Sequence, residues 1–86
     1  MEFTFDSEKS KSNREKHGID FIQAQALWHD PDRTIIPAKN LNEPRFLLIA
    51  KMADTHWSAI YTMREGKIRI ISVRRSRKEE KMLYES

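Results

Sequence analysis

Polar and apolar side chains alternate along this chain in a way that predicts eight elements of secondary structure. Phe3-Thr4-Phe5 alternates apolar and polar residues, which is typical of a short edge strand. Asp6 then precedes a polar segment that has basic residues in its last turn and Gly18 after it. This arrangement of cap and charge predicts a helix over about 7–17, exposed over most of its surface.

A second helix is predicted after Asp20, where Gln23 follows at the spacing of a capping box, and Asp30-Pro31-Asp32 ends it. A strand is predicted over Arg33–Ile36, where Pro37 closes it, and a polar loop over Ala38–Pro44 follows. Three more strands are predicted over Arg45–Met52, His56–Met63 and Lys67–Val73. A capping box at Ser76-Arg77-Lys78-Glu79 predicts the start of a final helix, which runs to about Tyr84.

The predicted order is therefore β-α-α-β-β-β-β-α. Short connections between consecutive strands favour sequential antiparallel pairing. The fold class predicted is α+β, with an antiparallel sheet of about four strands and helices packed on one face.

Alternation along the three hairpin strands separates an apolar face from a basic face. The predicted core face carries Phe46, Leu48, Ala50, Met52, Trp57, Ala59, Tyr61, Met63, Ile68, Ile70 and Ser72. The predicted basic face carries Arg45, Lys51, His56, Arg64, Arg69 and Arg75, over Leu47, Ile49, Ile60, Ile71 and Val73. Strict alternation puts Arg74 on the helix side, unless the strand ends at Ser72 and frees it to turn back. A basic face with an apolar floor favours a binding or active surface over an ordinary solvent face.

Charge is concentrated towards the end of the chain. Residues 64–86 hold eight Lys or Arg and four Glu, a net charge of +4, whereas residues 1–63 have a net charge of −1. The stretch 67–78 contains no acidic residue. Guanidinium groups held in a sheet suit phosphate recognition because the planar fork binds two oxygens at once. The pattern therefore indicates a nucleic-acid partner.

Composition limits the remaining possibilities. The 86 residues are expected to form one domain, 1–86, and the absence of cysteine excludes disulfides and thiolate-bound zinc. The longest apolar run, Phe46–Ala50, is too short to cross a bilayer, and the first residues resemble no signal peptide, so we expect a cytoplasmic protein without membrane contact. Two glycines in the chain leave little scope for a nucleotide-cradling loop.

Two polar groupings have both a structural and a functional interpretation. Asn13 and His17 lie four residues apart on one side of the first helix, where His17 could bind phosphate or shuttle a proton. A His that packs and hydrogen-bonds to backbone is the more common outcome. Asp30 and Asp32 flank a proline without further ligands at metal-site spacing, so turn capping is expected and no metal or cofactor is predicted.

Two motifs in order resemble the BrnT family of toxins. The first is Phe3-x-Phe5-Asp6-x-x-Lys9-x-x-x-Asn13-x-x-Lys16-His17-Gly18-Ile19-x-Phe21, and Arg45-Phe46 resembles the start of the family's first hairpin strand. The second is Tyr61-Thr62-x-Arg64, followed by Ile68-Arg69-Ile70-Ile71-Ser72-Val73-Arg74-Arg75-Ser76, Glu80 and Tyr84-Glu85. The resemblance covers nearly the whole chain.

This resemblance implies a RelE-like ribonuclease toxin of a type II toxin–antitoxin system. Such a toxin cuts RNA, inhibits translation and is neutralised by a small BrnA-like antitoxin that binds operator DNA, in a hetero-oligomer.

RNA cleavage of this kind needs no metal, because the 2′-OH can attack the adjacent phosphate. The enzyme must remove that proton, neutralise the developing negative charge and protonate the leaving oxygen. We predict that Arg64 and Arg74 stabilise the phosphate. The predicted RNA-binding residues are Arg45, Arg69, Arg75 and Lys78, and the candidate proton carriers are Glu43, Tyr84 and His56.

Three functions remain open from the sequence. The first is the ribonuclease toxin. The second is a non-catalytic RNA- or DNA-binding module that uses the same arginines for backbone contacts. The third is a protein-interaction subunit that docks through the apolar floor of the sheet.

Overall fold

The computed structural model describes residues 1–39 and 42–86, in which five strands and three helices are found. Their bounds in chain order are β1 Phe3–Thr4, α1 Ser7–His17, a 3₁₀ helix Gln23–His29, β2 Thr34–Ala38, β3 Arg45–Met52, β4 Thr55–Arg64, β5 Lys67–Arg75 and α2 Lys78–Glu85. The α+β class is thus confirmed. No helix in these residues combines the length and apolar character needed to cross a bilayer.

Local capping fixes the ends of α1, as the sequence predicted. The Asp6 carboxylate accepts hydrogen bonds from the backbone N–H groups of Glu8 and Lys9 at 2.9 and 3.2 Å. At the other end Gly18 adopts a left-handed conformation with φ 77° and donates its N–H to the Arg14 carbonyl. A residue without a Cβ adopts this conformation at little cost, so the helix ends there.

The second helix differs from the prediction because it is a 3₁₀ helix. The predicted reciprocal pair does form: the Asp20 Oδ1 accepts the N–H of Gln23, and the Gln23 Oε1 accepts the N–H of Asp20. Ala24 and Leu27, three residues apart, are both fully buried. A helix with three residues per turn places them on the same side, towards the sheet.

The strands form one five-stranded sheet in the order β1-β5-β4-β3-β2. Strands β2 to β5 pair antiparallel, as predicted, but β1 pairs parallel with β5, so the expectation of a four-stranded antiparallel sheet is wrong. Pro37 does not close β2, since the strand continues to Ala38 and Pro37 pairs with Phe46. A proline is tolerated there because β2 is an edge strand. The predicted loop Ala38–Pro44 includes residues 40 and 41, which lie outside the described residues.

One face of the sheet packs against the 3₁₀ helix and the segment that precedes it and forms the core. Its buried residues include Ile19, Phe21, Leu27, Trp28, Leu48, Ala59, Tyr61 and Ile70. The Asn13 side chain joins α1 to β5: it donates to the carbonyls of Ile19 and Val73 at 2.8 and 2.9 Å and accepts the Val73 N–H at 3.1 Å. Asn13 therefore has a structural role. The expectation that His17 packs and hydrogen-bonds to backbone is wrong, since His17 is exposed and its side chain makes no hydrogen bond to the described residues.

A β-bulge in β5 reverses the faces of its last residues. Ile60 pairs with Ser72 and Tyr61 pairs with Ile70, so Ile71 is an extra residue without a partner on β4. Beyond the bulge Val73 turns into the core, where it is fully buried. The strand also continues past its predicted end at Val73.

The bulge reverses four of the predicted side-chain orientations: Ser72 lies with Ile60 on the face away from the core, Val73 faces the core, and Arg74 and Arg75 are reversed as well. Arg74 pairs with Ser58 and so lies on the face away from the core, whereas strict alternation put it on the helix side. Arg75 pairs with the core residue Trp57, and its guanidinium lies 5.8 Å from the centroid of that ring. The prediction that Arg75 shares a face with Arg45 and Arg69 is therefore wrong, because one inserted residue exchanges the two faces.

Helix α2 lies on the opposite face from the 3₁₀ helix, so the prediction of helices on one face only is also wrong. Its Glu80 side chain bonds both Ser58 and Arg74, which share that second face. The N–H of Arg77 donates to Glu80 Oε1 at 2.8 Å, so the helix begins one residue later than the predicted box at Ser76 and Glu79. No residue of α2 is buried, which indicates that polar contacts hold it on the sheet.

Candidate functional site

The face of the sheet opposite the core has a half covered by α2 and an open half. The covered half contains Ile49, Ser58 and Arg74, and α2 leaves Ser58 only 1% exposed. We name the open half the arginine face. It is formed by Arg45, Leu47, Ile60, Thr62, Arg64, Lys67 and Arg69.

Two arginines flank Thr62 in the middle of the arginine face. Arg69 pairs with Thr62 across β4 and β5, and the β3–β4 register continued by one residue places Arg45 on its other side. The Thr62 hydroxyl is itself occupied, since it donates to the Pro44 carbonyl at 2.6 Å. The two arginines therefore project from β3 and β5, the two neighbours of β4, on either side of a buried, hydrogen-bonded threonine.

Neither of these arginines has a carboxylate partner within the described part of the chain. Both are half-buried, and the Nε atom of Arg45 is shielded from solvent and has no hydrogen-bond acceptor among residues 1–39 and 42–86. A partly desolvated guanidinium without a counter-charge is unfavourable by itself and gains from an anionic ligand. The arrangement is suited to an anion that bridges Arg45 and Arg69.

Arg64 and Glu43 form an ion pair at the end of the arginine face. Arg64 Nη2 lies 3.1 Å from Glu43 Oε1, and Arg64 Nε lies 3.4 Å from Glu43 Oε2. The pair joins the end of β4 to the segment that precedes β3. The Arg64 side chain is 53% exposed and that of Glu43 is 28% exposed. Exposed pairs of this kind contribute little stability, so an anionic ligand can compete for the Arg64 guanidinium at little cost.

The apolar floor beneath the arginines is less exposed than predicted. Leu47 is 8% exposed and Ile49 is fully buried, the latter on the half that α2 covers. Val73 belongs to the core, so it is not part of the floor. The apolar floor of the arginine face therefore consists of Leu47 and Ile60, which pair across β3 and β4 next to the covered half.

The covered half contains a polar network centred on Glu80. The Glu80 carboxylate accepts two hydrogen bonds from Arg74, at 2.8 and 2.9 Å, and one from the Ser58 hydroxyl at 2.8 Å. Ser58 and Ser76 hydroxyls lie 2.7 Å apart. The hydrogen bonds from Arg74 are the main reason that the pKa of Glu80 falls to about 2. Arg74 is thus engaged in holding α2 on the sheet.

Two further contacts fix the end of α2. The Tyr84 hydroxyl donates to Asp30 Oδ2 at 2.6 Å, and this hydrogen bond raises the pKa of Tyr84 above its usual value. His56 Nε2 lies 2.7 Å from Glu85 Oε2, and the rings of His56 and Tyr84 meet edge to face at 5.2 Å.

Asp30 accepts the hydrogen bond that ties the end of α2 to the segment before β2. Burial raises its pKa, but hydrogen bonds from the Lys51 N–H and the Tyr84 hydroxyl more than offset this, so the pKa of Asp30 is lowered. It also accepts the Asp32 N–H at 2.9 Å, which confirms the predicted turn capping. Among residues 1–39 and 42–86 no group of three acidic, His or Cys side chains could hold a metal ion.

The five residues predicted to act in catalysis do not form one constellation, and His56 lies beside Tyr84. Arg64 and Glu43 lie at the open end, and Arg74 and Tyr84 lie under or on α2. Arg74 pairs with Ser58, which is six residues from Arg64 along β4, or roughly 20 Å. Two arginines this far apart do not contact the same phosphate in this conformation.

The predicted RNA-binding residues also separate. Arg45 and Arg69 lie together on the arginine face, Arg75 lies on the opposite face, and Lys78 is exposed at the start of α2. The sequence analysis did not include Lys67, which pairs with Arg64, among the site residues. It also missed the hydrogen bond between Glu80 and Ser58 and the one between Asp30 and Tyr84. Alternation on β5 gave a signal for Lys67, whereas no sequence spacing links Asp30 to Tyr84.

Comparison with known proteins confirms the resemblance seen in the sequence. Residues 5–80 of the 86-residue chain match a family model described as "Ribonuclease toxin, BrnT, of type II toxin-antitoxin system". No curated protein matches the chain. The match extends over the three strands that carry Arg45, Arg64 and Arg69 and over the start of α2. The chain therefore belongs to the BrnT family of ribonuclease toxins from type II toxin–antitoxin systems, which implies an antitoxin partner.

Proposed function

We propose that this protein is an endoribonuclease that cleaves RNA on the arginine face without a metal ion. One observation carries the proposal: Arg45 and Arg69 flank Thr62 on the open half of the sheet and have no carboxylate partner within the described residues. A phosphodiester would neutralise both guanidinium groups and accept several hydrogen bonds from them.

The chemistry follows from the groups within reach of that phosphate. The 2′-oxygen attacks phosphorus while the Glu43 carboxylate, next to Arg64, accepts the 2′-OH proton. Negative charge grows on the phosphate oxygens, and Arg45 and Arg69 stabilise it. The bond from phosphorus to the 5′-oxygen then breaks, and that oxygen takes a proton from water. Glu43 returns its proton to the hydroxide left behind, which restores the carboxylate. The products are a 2′,3′-cyclic phosphate and a 5′-OH end.

Arg74, Tyr84 and His56 have a different role in this proposal. They hold α2 through Glu80, Asp30 and Glu85, so they position the covered half and do not touch the reacting atoms. The proposal therefore assigns the chemistry to Arg45, Arg64, Arg69 and Glu43, at the open end of the sheet.

A cleavage assay in the presence of a metal chelator tests the proposal. Wild-type protein is expected to cut a single-stranded RNA and to leave intact the same RNA carrying a 2′-O-methyl group at each cut position. Arg69→Ala and Arg45→Ala should each lower the cleavage rate by on the order of 10²–10³. Arg69→Lys should recover only part of that loss, because an ammonium does not bind two oxygens in a fork.

Arg75→Ala is the matched control for these variants. It removes a guanidinium from the same strand as Arg69, but on the opposite face, and is expected to stay within about threefold of wild-type activity. Equal losses in Arg69→Ala and Arg75→Ala would contradict the assignment of the site to the arginine face.

The two alternatives give different results in the same experiments. RNA binding with a steep salt dependence but no cleavage would indicate a non-catalytic RNA- or DNA-binding module. No affinity for RNA at low salt would favour a protein-interaction subunit that docks through the floor at Leu47 and Ile60.

In the cell, this activity would inhibit translation and arrest growth from the cytoplasm. The neutralising partner is proposed to be a small BrnA-like, DNA-binding antitoxin that forms a hetero-oligomer with the toxin. Expression of the wild-type chain should arrest growth, co-expression of the antitoxin should relieve the arrest, and Arg69→Ala should be tolerated without it. Growth arrest by Arg69→Ala equal to that by wild type would count against RNA cleavage as the cause.

A further inference from the structure

A second basic surface lies between α1 and the bulged part of β5. It is an open cleft of about 180 Å³, lined by Lys9, Ser12, Asn13, Lys16 and His17 of α1 and by Ile71 and Ser72 of β5. The cleft has no role in the chemistry proposed above. Its position follows from the bulge, because Ile71 is the unpaired residue and Ser72 is the first residue after it.

The cleft has the charge expected of an anion site. Lys9 and Lys16 are exposed, and within the described residues neither side chain forms an ion pair or a hydrogen bond. The acidic residues of α1, Glu8 and Glu15, do not line it. Lys9 and Lys16 lie seven residues apart, two turns of the helix, so both ammonium groups project over the same concave surface.

Some polar side chains of the cleft already make hydrogen bonds within the protein, and others can donate to a ligand. Asn13 already makes three hydrogen bonds, to Ile19 and Val73, so its amide is not available to a ligand. The hydroxyls of Ser12 and Ser72 make no hydrogen bond to any described group, and both are half-buried at the wall of the cleft. Two hydroxyl donors between two ammonium groups match the oxygens of a phosphate.

The cleft is continuous with the arginine face through β5. Ser72 pairs with Ile60 of the arginine face and also lines the cleft. Arg69 lies three residues earlier on the same strand, roughly 10 Å away. A strand of nucleic acid bound by Arg45 and Arg69 would therefore pass from the open face over the edge of β5 into the cleft.

We infer that this cleft is a phosphate-binding subsite for single-stranded RNA, separate from the phosphate that is cut. The inference rests on the proposed function for its substrate. Lys9 and Lys16 bind a backbone phosphate beyond the cleavage position, and Ser12 and Ser72 donate hydrogen bonds to its oxygens. The subsite reads no base, because its groups recognise only the phosphate.

Binding of an uncleavable RNA tests the inference. The probe is a fully 2′-O-methylated RNA oligonucleotide, measured with wild-type protein at several salt concentrations. In Lys9→Ala/Lys16→Ala the slope of log K against log salt should become shallower by about 0.7, the value for one lost single-strand phosphate contact. Lys11→Ala, on the same helix but outside the cleft, should leave the slope unchanged.

Cleavage kinetics give a second readout that a purely structural role would not produce. With cleavable RNA, Lys9→Ala/Lys16→Ala should raise KM and leave kcat unchanged, because it removes binding remote from the reacting phosphate. The two lysines are exposed, so the thermal unfolding midpoint should equal that of Lys11→Ala. A slope and KM equal to those of Lys11→Ala would overturn the inference.

The failure of this inference and the failure of the proposed function are distinguishable. If wild type cuts RNA while the cleft variants behave like Lys11→Ala, the subsite is wrong and the ribonuclease assignment stands. If wild type binds the methylated probe with the predicted lysine dependence but cuts no RNA, the subsite stands and the catalytic proposal fails. Absence of any binding to the probe at low salt overturns the subsite.

Discussion

Replacement of Glu80 by Gln tests whether one carboxylate holds α2 on the sheet. No residue of α2 is buried, and Glu80 bonds Arg74 and Ser58 on the sheet and the N–H of Arg77 at the helix start. Gln keeps the size of the side chain and an oxygen that can accept the Arg77 N–H. It removes the charge that faces Arg74. The substitution therefore isolates the ionic part of the network.

The size of the effect follows from the pKa of Glu80. That pKa is about 2, against an ordinary value of 4.5, mainly because of the hydrogen bonds from Arg74. The difference of about 2.5 units corresponds to about 3.4 kcal/mol at 1.36 kcal/mol per unit. The side chains of Arg74 and Glu80 are 23% and 12% exposed at the surface of the protein, so we discount this for solvent screening to about 1–2 kcal/mol.

The sign of the pH dependence is fixed by the direction of the shift. A carboxylate with a lowered pKa stabilises the folded state above pH 4.5 and loses that contribution as the pH falls towards 2. Urea unfolding at a series of pH values from 7 to 2.5 measures it. The difference in unfolding free energy between wild type and Glu80→Gln should be about 1–2 kcal/mol at pH 7 and should shrink across that window.

Glu79→Gln provides the matched control. Glu79 is the exposed neighbour of Glu80 on α2 and makes no hydrogen bond to the rest of the described protein, so its replacement should change stability by less than about 0.5 kcal/mol. Hydrogen exchange of the α2 amides should be faster in Glu80→Gln only. The reasoning is refuted if the stability difference between wild type and Glu80→Gln is the same at pH 7 and pH 2.5.

Three further predictions concern stability and the role of Tyr84. Asn13→Ala leaves the buried N–H and C=O of Val73 without their side-chain partners and should lower the urea unfolding free energy by about 2–4 kcal/mol, whereas Ser12→Ala at the cleft should cost less than about 0.5 kcal/mol. Tyr84→Phe removes the donor to Asp30 and should cost about 0.5–1.5 kcal/mol in unfolding free energy. The RNA cleavage rate of Tyr84→Phe should stay within about threefold of wild type, and a loss of on the order of 10² would show that Tyr84 acts on the substrate. Gly66→Ala should lower the thermal unfolding midpoint by a change equivalent to about 1 kcal/mol, because φ at Gly66 is 76° and alanine disfavours it although space is available.

Sequence reasoning was accurate where a structural choice is made by neighbouring residues. The ends of α1 at Ser7 and His17 follow from Asp6 and Gly18, which act within one turn of the helix. The bounds of β3 were also predicted, because alternation and the turn residues around it are local signals. The placement of Arg45 and Arg69 on one face follows from the two-residue period of a strand.

The errors share a non-local cause. The bulge at Ile71 is defined by how β5 pairs with β4, and the pattern of β5 by itself does not reveal it. It exchanged the faces of Arg74 and Arg75 and so divided the predicted catalytic set. The parallel pairing of β1 with β5 is a contact between residues more than sixty positions apart, which no local pattern encodes.

The sequence by itself determined the α+β class, the ends of α1 and β3, the family and the presence of two arginines on one sheet face. These follow from periodicity, capping and motif order, which depend on residues close along the chain. The tertiary structure alone decided that α2 covers half of that face, that Arg74 is committed to Glu80, and that Arg45 and Arg69 have no carboxylate partner within the described residues. Ion pairs of this kind form only where the fold brings two segments within hydrogen-bond distance. Whether an arginine binds a carboxylate of the protein or remains available to a ligand therefore depends on the fold.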